Sequence, residues 1–458
     1  MTVLKPDLCI LGAGSGGLVV AAGAVQMGAR VVLLEPNKMG GDCLNYGCVP
    51  SKALLAAAAS HPRPTYGEAM RRVQAAIATI EPNDSVERFE GLGVTVIREA
   101  GRFRDKRTLE TAGGTRIEAR RFVIATGSHP AIPPVPGLET LPYLTNETLW
   151  ELREAPAHLV IIGGGPIGCE MALAHVRLGS RVTVLQRSTI LPKDDPELVA
   201  VVRRRLQAEG VDLREGVEAT AAEATGEGFA LVLSDSSRLE GSHLLVAAGR
   251  KATVDGLDTE AAEVALEQGA IRTDAGMRTS NSRIFAVGDV SGGPQFTHAA
   301  AYQAGIVIKR ALFFLPAKAD SGLIPWATYT DPELAHVGLT ETAARQRHGD
   351  ALVRTLIWPF AENDRAIAIG NTEGLVKAVV AKHGRILGCS IVGPHAGELI
   401  LPWCLALQNR LKIGAMAQVI APYPTLSEAW KRAAGSYYSE SLFSERTRCI
   451  VRWLQKLP

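Results

Sequence analysis

Twice in this chain a short aliphatic run breaks into a glycine cluster that opens onto a helix-forming stretch. The first is Leu8–Leu11 with Gly12-Ala-Gly14-Ser15-Gly16-Gly17, and the second is Leu159–Ile162 with Gly163-Gly-Gly165-Pro-Ile-Gly168. Each leads to a second β-branched run, Val31–Leu34 or Val182–Leu185. Each copy then passes a polar turn and closes on an apolar strand ending in glycine, Phe122-Val-Ile-Ala-Thr126-Gly127 or Leu244-Leu-Val-Ala-Ala-Gly249. Strand, glycine turn, helix, strand is the unit of nucleotide-binding α/β modules. A helix N-terminus there offers unpaired N–H groups and partial positive charge to a pyrophosphate. Two copies predict two such modules in one chain.

The acidic residue that should follow separates the copies. Glu35 ends the second strand of the first copy, at about the twenty-residue spacing at which a carboxylate accepts from a ribose hydroxyl. In the second copy that place holds Gln186 and Arg187. An Arg pairs with a 2′-phosphate, so the second module is expected to prefer NADPH, with NADH possible. The bland alternative is that Arg187 is a surface residue just past the strand.

Length and composition set the remaining frame. At roughly 150 residues per domain, 458 residues suggest three domains, and an apolar content of 47% provides for a large core. A net charge of +2 and 5% aromatics argue against a nucleic-acid-coating surface. The uncharged stretch Leu8–Ala29 is broken by glycines, so no membrane span is expected, and the protein is expected in the cytoplasm. A Pro-rich connector, Ile132–Gly137, and a break near Phe314–Pro325 mark boundaries. The expected fold class is α/β, with two Rossmann-like dinucleotide-binding domains and a C-terminal α+β dimerisation domain. The FAD-binding domain is expected at 1–151 and 281–325, the NAD(P)H-binding domain at 152–280, and the dimerisation domain at 326–458.

The most specific local feature is Cys43-Leu-Asn-Tyr-Gly-Cys48, followed by Val-Pro-Ser-Lys52. Two thiols at this spacing can close a small disulfide ring if the backbone bends, and Gly47 supplies freedom for that. A structural zinc site would want a second close pair, and Cys9, Cys169, Cys389, Cys404 and Cys449 form none, so no metal site is expected. A helix beginning here, with Lys52 nearby, favours a thiolate. These residues favour a redox pair over two inert core cysteines. Cys404 and Cys169 read as packing residues, and His298 and His395 as structural.

These motifs together identify the chain as resembling the class I pyridine nucleotide–disulfide oxidoreductases, the family of glutathione reductase, lipoamide dehydrogenase and mercuric reductase. The likeness runs end to end. It rests on the first glycine turn, the redox segment Cys43–Lys52, Ala125-Thr-Gly127, the second turn, Ile284-Phe-Ala-Val-Gly-Asp289, Thr330-Asp-Pro-Glu333 and Pro424-Thr-Leu-Ser-Glu428. Local texture is similar to mercuric reductase. The resemblance implies FAD held by Gly12, Gly14, Ser15, Gly16, Gly17, Glu35, Gly41, Lys52, Thr126, Gly127 and Asp289. It implies NAD(P)H held by Gly163, Gly165, Gly168, Gln186, Arg187 and Gly249. Cys48 would be the thiolate against the flavin, Cys43 the outer thiol, and Lys52 and Glu170 an ion pair beside the ring. The chain would act as a homodimer, its tail carrying Tyr423 and Glu428 to the partner's active site. Electrons would pass from NAD(P)H through flavin to the disulfide Cys43–Cys48, then to a disulfide or thiol-bound metal.

The sequence departs from that family where the last proton is handled. Glutathione reductase and lipoamide dehydrogenase place a His before the Pro-Thr of the tail, paired with the Glu. Here Tyr423 holds that position, as in mercuric reductase, and Ala421 lies two residues earlier. Tyr has a pKa near 10 and is a poor base at neutral pH. Mercuric reductase also carries adjacent C-terminal cysteines and, in many forms, an N-terminal metal-binding module. Here Cys449 is the lone cysteine near the tail, and neither feature is expected. A dihydrolipoamide dehydrogenase, a flavin diaphorase or quinone reductase, and a non-catalytic redox-sensing flavoprotein are the alternatives.

Overall fold

Leu8–Leu11 and Val31–Leu34 are buried at every position, so the sheet they form must be covered on both faces. In the computed structural model, which describes residues 3–226 and 228–457, they are central strands of an all-parallel sheet. Its order is Ile284–Ala286, Arg121–Ile124, Leu8–Leu11, Val31–Leu34, Thr95–Ile97. Leu8 lies opposite both Val31 and Arg121. The third expected strand starts and stops one residue early. Ala125 still donates to the Leu11 carbonyl at 2.7 Å, but its own carbonyl turns towards Gly12. Helices Ser15–Gln26 and Thr297–Ala311 pack together on this sheet. Close approach is possible because a Cβ on Gly16 or Gly23 would strike Val287 or Ile308.

The second copy repeats the plan. Asp212–Glu215, Arg181–Gln186, His158–Ile162 and His243–Val246 form a parallel sheet in that order. Leu159 pairs with Val182 on one side and His243 on the other. Each copy adds an antiparallel meander: Gly101–Asp105, Thr108–Thr111 and Arg116–Ile117 in the first, and Ala219–Thr225, Gly228–Leu233 and Arg238–Gly241 in the second.

By internal contacts the chain divides into two units, Met1–Arg187 with Val211–Ser321, and Ser188–Gly210 with Gly322–Pro458. The second unit is α+β. Its antiparallel sheet runs Trp326–Thr328, Glu333–Gly338, Arg385–Gly393, Leu375–Ala381, Val353–Pro359. Helices Leu401–Gln408 and Glu428–Ser436 contribute the buried Trp403 and Trp430 to its core. Helix Pro196–Ala208 is held to this sheet by charge: buried Lys377 Nζ meets Asp195, Glu197 and Glu341 at 3.0, 3.0 and 2.6 Å. One ammonium answering three carboxylates in a dry site is stabilising only as a set, because losing the cation strands buried charge. The tail helix Glu445–Leu454, capped by Ser444, leaves Ile450, Val451, Trp453 and Leu454 exposed. Among the described residues no helix is long and apolar enough to cross a membrane.

Beside the Lys377 cluster, burial pushes the Asp194 carboxyl up to about 6, although Trp326 Nε1 donates to it at 2.7 Å. A raised acid costs stability where it must ionise. The cost is absent below the ordinary value of 3.8, grows between the two values and is complete above about 6. Asp194→Asn keeps an acceptor for the indole and removes the charge. It is expected to stabilise the protein by about 1–3 kcal/mol near pH 8 and by nearly nothing near pH 4, read from denaturant unfolding of both proteins at each pH.

Candidate functional site

The two glycine turns have the same geometry. Gly12 and Gly163 adopt φ of +106° and +117°, and a Cβ on either would lie 2.3 Å from a carbonyl oxygen, of Ala125 or Ala247. The last glycines pack as tightly: a Cβ on Gly17 or Gly168 would sit 1.9 Å from the carbonyl of Gly12 or Gly163. The middle glycines differ. A Cβ on Gly14 would come no nearer than 3.9 Å to Gly41, and one on Gly165 would meet nothing within 4 Å. No protein atom requires a bare backbone there, so the room suits a ligand that approaches the main chain. The turn backbones thus fit a pyrophosphate at the start of helices Ser15–Gln26 and Pro166–Arg177.

Glu35 and Gln186 occupy equivalent places. Ala13 N donates to Glu35 Oε2 at 2.7 Å, and Gly164 N donates to Gln186 Oε1 at 2.9 Å. Asn37 N also donates to Glu35 Oε1, at 2.8 Å, which leaves lone pairs for ribose hydroxyls. Gln186 supports its turn without negative charge, and Arg187 beside it is exposed. The closing glycines Gly127 and Gly249, with φ of +69° and +125°, also face open space, and Gly41 packs against the Gly14 turn. Thr126 Oγ1 donates to the Thr253 carbonyl at 2.6 Å.

Short helix Gly41–Asn45 and helix Cys48–Ala59 bring the two thiols together at a bend around Gly47. Cys48 begins its helix, where the N-terminal dipole favours an anion. Its thiol is lowered to about 6, chiefly by a hydrogen bond from Cys43, then by Thr297, whose Oγ1 lies 3.5 Å from Sγ, and by the charge of Lys52. Cys43 is driven the other way by its hydrogen bond to Cys48 and by burial. The pair is therefore asymmetric: one thiolate near neutrality and one thiol that keeps its proton. Lys52 Nζ meets Glu170 Oε2 at 2.8 Å, with Glu170 4% exposed and Lys52 36%. Glu170 stands in the first turns of the helix launched by the second glycine turn, so this contact joins the thiol helix to the second nucleotide module.

Several residues of this site were missed in the sequence. Arg250, next after Gly249, donates from Nε to Ser128 Oγ at 2.7 Å and from Nη2 to Asp42 Oδ1 at 3.1 Å. Ser128 Oγ donates to Asp289 Oδ2 at 2.5 Å, and Asn146 Nδ2 donates to Asp42 Oδ1 at 2.8 Å. Burial raises Asp289, against the pull of Ser128 and Arg250. Sequence spacing gave no hint of this network or of Thr297, since its members come from distant segments. Asp289, named through the resemblance, and Asp42, beside Cys43, were the available clues.

Tyr423 and Glu428 belong to the second unit. Tyr423 is 69% exposed and donates from its hydroxyl to Asp364 Oδ2 at 2.9 Å, and that carboxylate raises the phenol above its ordinary value of 10. Asp364 was also missed. Glu428 opens helix Glu428–Ser436, where an acid complements the helix dipole. Cys449 Sγ lies 3.2 Å from Arg452 Nη2 on the exposed tail helix. Cys169 and Cys389 are buried and Cys404 half-buried. His298 stacks on Phe296, and His395 caps a short helix in a left-handed turn. Among the described residues no group of three or more His, Cys, Asp or Glu gathers to hold a metal.

The chain matches the family described as pyridine nucleotide-disulphide oxidoreductase over residues 6–304, and the dimerisation domain of the same description over residues 324–434. It is 35% identical to a mercuric reductase of Lysinibacillus sphaericus over 450 residues, 93% of this chain and 82% of that protein. It is 32% identical to a dihydrolipoyl dehydrogenase of Geobacillus stearothermophilus over 456 residues, 94% of this chain and 96% of that one. Among solved structures, the Cu(II) complex of the HOCl-induced flavoprotein disulfide reductase RclA from Escherichia coli matches with a TM-score of 0.88. That likeness is at 28% identity and covers 94% of this chain and 99% of that one. LpdA from Mycobacterium tuberculosis matches with a TM-score of 0.86 at 28% identity, covering 95% of this chain and all of that one.

The contrast between the glycines gives a sharp expectation. Gly165→Ala should leave the unfolding free energy within about 1 kcal/mol of the parent's. It should raise the KM for the nicotinamide nucleotide severalfold. Gly168→Ala, which drives a Cβ to 1.9 Å from a carbonyl, should fail to fold or lose several kcal/mol, roughly the cost of overpacking a core. Equal effects of the two on stability would show that the space at Gly165 has no bearing on a ligand.

Proposed function

Because the chain belongs to the pyridine nucleotide–disulphide oxidoreductases, and so is an FAD-dependent enzyme using NAD(P)H, we propose that it is an NADPH-driven reductase. Its acceptor is a disulfide or a thiol-bound metal, in the manner of mercuric reductase. The observation that carries this reading is the asymmetric pair Cys43–Cys48 in a chain whose tail offers Tyr423, held by Asp364, where thiol reductases place an imidazole. We take 1–151 with 281–325 as the flavin-binding part, 152–280 as the nicotinamide-binding part and 326–458 as the interface of a homodimer.

When bound, the flavin and nicotinamide supply a two-electron path to the thiol pair. The glycine turns and Glu35 would hold the first nucleotide, Asp289 would accept from its polyol chain, and Lys52, paired with Glu170, would offer positive charge to its ring. Gln186 and Arg187 favour the nucleotide with a 2′-phosphate. On the substrate side Cys43 Sγ attacks one sulfur of a disulfide and the other leaves as a thiolate. The Cys43 proton moves along its hydrogen bond to Cys48 and on to the leaving sulfur. Cys48 then attacks Cys43 Sγ, closing the ring and releasing the second thiolate. The pair supplies its own proton acceptor at neutral pH, which a phenol cannot. A thiol-bound soft metal needs less: the two sulfurs displace its thiol ligands, and the tail of the partner subunit would bring the Tyr423 oxygen to it. The names of the relatives favour this second kind of acceptor, since they include mercuric reductases and a Cu(II) complex.

Turnover with NADPH across glutathione disulfide, lipoamide, Hg(II)–thiol complexes, Cu(II) and quinones tests the reading. Activity with a disulfide or thiol-bound metal, abolished in Cys43→Ser, is expected, and Tyr423→Phe should lower it while flavin reduction by NADPH stays intact. Quinone turnover alone, untouched by Cys43→Ser, would make the chain a diaphorase. Lipoamide turnover at tens per second or more, roughly the range of good enzymes, would place it with the lipoamide dehydrogenases.

The nucleotide preference has its own check. Arg187→Ala should weaken NADPH by about 1.5–3 kcal/mol, roughly ten- to hundredfold, and leave NADH almost unchanged. An unaltered NADPH/NADH ratio in steady-state kinetics sinks the assignment.

A further inference from the structure

The parallel sheet that carries the first glycine turn holds an unassigned cavity at its other end. Ligands of such sheets sit at the carboxyl ends of the strands, where Leu11 runs into the Gly12 turn beside Ile124 of the neighbouring strand. Arg121 begins that same strand and Ile284 begins its neighbour. At roughly 3.3 Å per residue, the two ends of a four-residue strand, three steps apart, lie about 10 Å from each other. Around the amino ends, a cavity of about 320 Å³ is lined by Arg121, Arg278, Ser282, Arg310, Phe314 and Pro316.

Three features distinguish it from an ordinary charged surface. The first is crowded positive charge: burial and the neighbouring Arg283, Arg120 and Arg278 all push the Arg121 guanidinium down. Asp274 offsets part of this, but its Oδ2 stands 3.7 Å from Arg278 Nε and 3.8 Å from Arg310 Nη2, beyond direct hydrogen bonding. The second is an aromatic face. Arg120 and Arg121 lie 5.3 and 5.7 Å from the Phe314 ring centroid, and Phe314 is nonetheless 58% exposed. The third is strain: Phe314 has φ +56°, which a bulky side chain rarely adopts, and Phe313 and Leu315 beside it are also exposed. Guanidinium forks match phosphate oxygens in pairs, and an exposed ring backed by guanidinium stacks well on a planar partner. The volume lies at the small end of ligand sites, roughly 300–1,000 Å³.

We infer that this cavity is a second anion site, taking a phosphorylated small molecule with a planar ring, the size of a mononucleotide. The phosphate meets Arg121, Arg278 and Arg310, with Ser282 as a hydroxyl donor, and the ring lies on Phe314. The site lies at the opposite end of the sheet from the first glycine turn, and none of its lining residues belongs to either turn, so its occupation is not expected to compete with FAD or the nicotinamide nucleotide.

Calorimetric titration of the FAD-loaded enzyme, saturated with NADP⁺, tests this with AMP and inorganic pyrophosphate as probes. Both are expected to bind, and Arg121→Gln and Arg278→Gln should each weaken both about tenfold or more. Phe314→Ala should weaken AMP severalfold and leave pyrophosphate unchanged. Arg278 is on the exposed rim, so Arg278→Gln, with flavin content and melting temperature intact, carries the test if Arg121→Gln proves unstable. Absence of AMP binding, or equal binding to the Arg278→Gln protein, overturns the site. Equal loss of both probes in Phe314→Ala overturns the ring contact.

Discussion

Everything chemical in the first unit depends on a backbone contact that only glycine permits. Where the helix of each copy leaves its strand, the last glycine of the turn presses its Cα against the carbonyl of the first. That contact aims the helix, and the helix N-terminus then points at the place where an anion can sit. In the second copy the same helix carries Glu170 in its early turns, so the direction set by Gly163 and Gly168 also decides where Lys52 finds its counter-charge. Lys52 in turn helps hold Cys48 as a thiolate. A nucleotide turn and a redox pair are thus mechanically linked through one helix.

Electrostatics around the thiols follow from that geometry. Four influences act on Cys48 in the anionic direction: its partner thiol, a hydroxyl, an ammonium and a helix N-terminus. Burial and Glu170 oppose them, and the balance falls near 6. Arg250 performs a comparable service on the other side, tying Asp42 next to the outer thiol to Ser128 and Asp289. It leaves the second copy directly after that copy's closing glycine, so the second copy braces the thiol site from two sides, through Glu170 and through Arg250.

The second unit is organised by different forces. Its antiparallel sheet and helices bury two tryptophans, and the Lys377 cluster fastens a helix from an earlier part of the chain. It leaves the large apolar side chains Leu401, Leu405, Ile420, Phe443 and Trp453 exposed, and residues 324–434 match a dimerisation domain. Tyr423 is exposed as well, with its phenol committed to Asp364. A phenol raised in this way keeps its proton at neutral pH and donates a hydrogen bond.

Local chain chemistry was sufficient for much of this. Continuous aliphatic runs ending in glycine could be nothing but buried parallel strands feeding anion-binding helices, and the Cys43–Cys48 spacing with Gly47 and Lys52 announced a redox pair. Those signals are short-range: each depends on residues within a turn or a strand of one another. Asp364, Thr297 and the Arg250 network carried no such signal. Arg250 and Asp42 are 208 residues apart, Thr297 and Cys48 are 249 apart, and only the docking of sheets and helices brings their polar atoms within bonding distance. Nor did the sequence show that Asp195 and Glu197, at the start of helix Pro196–Ala208, share buried Lys377 with Glu341, a contact that spans some 180 residues. Periodicity records which face of an element is dry, whereas the partner that covers that face is chosen by packing and charge across the whole chain.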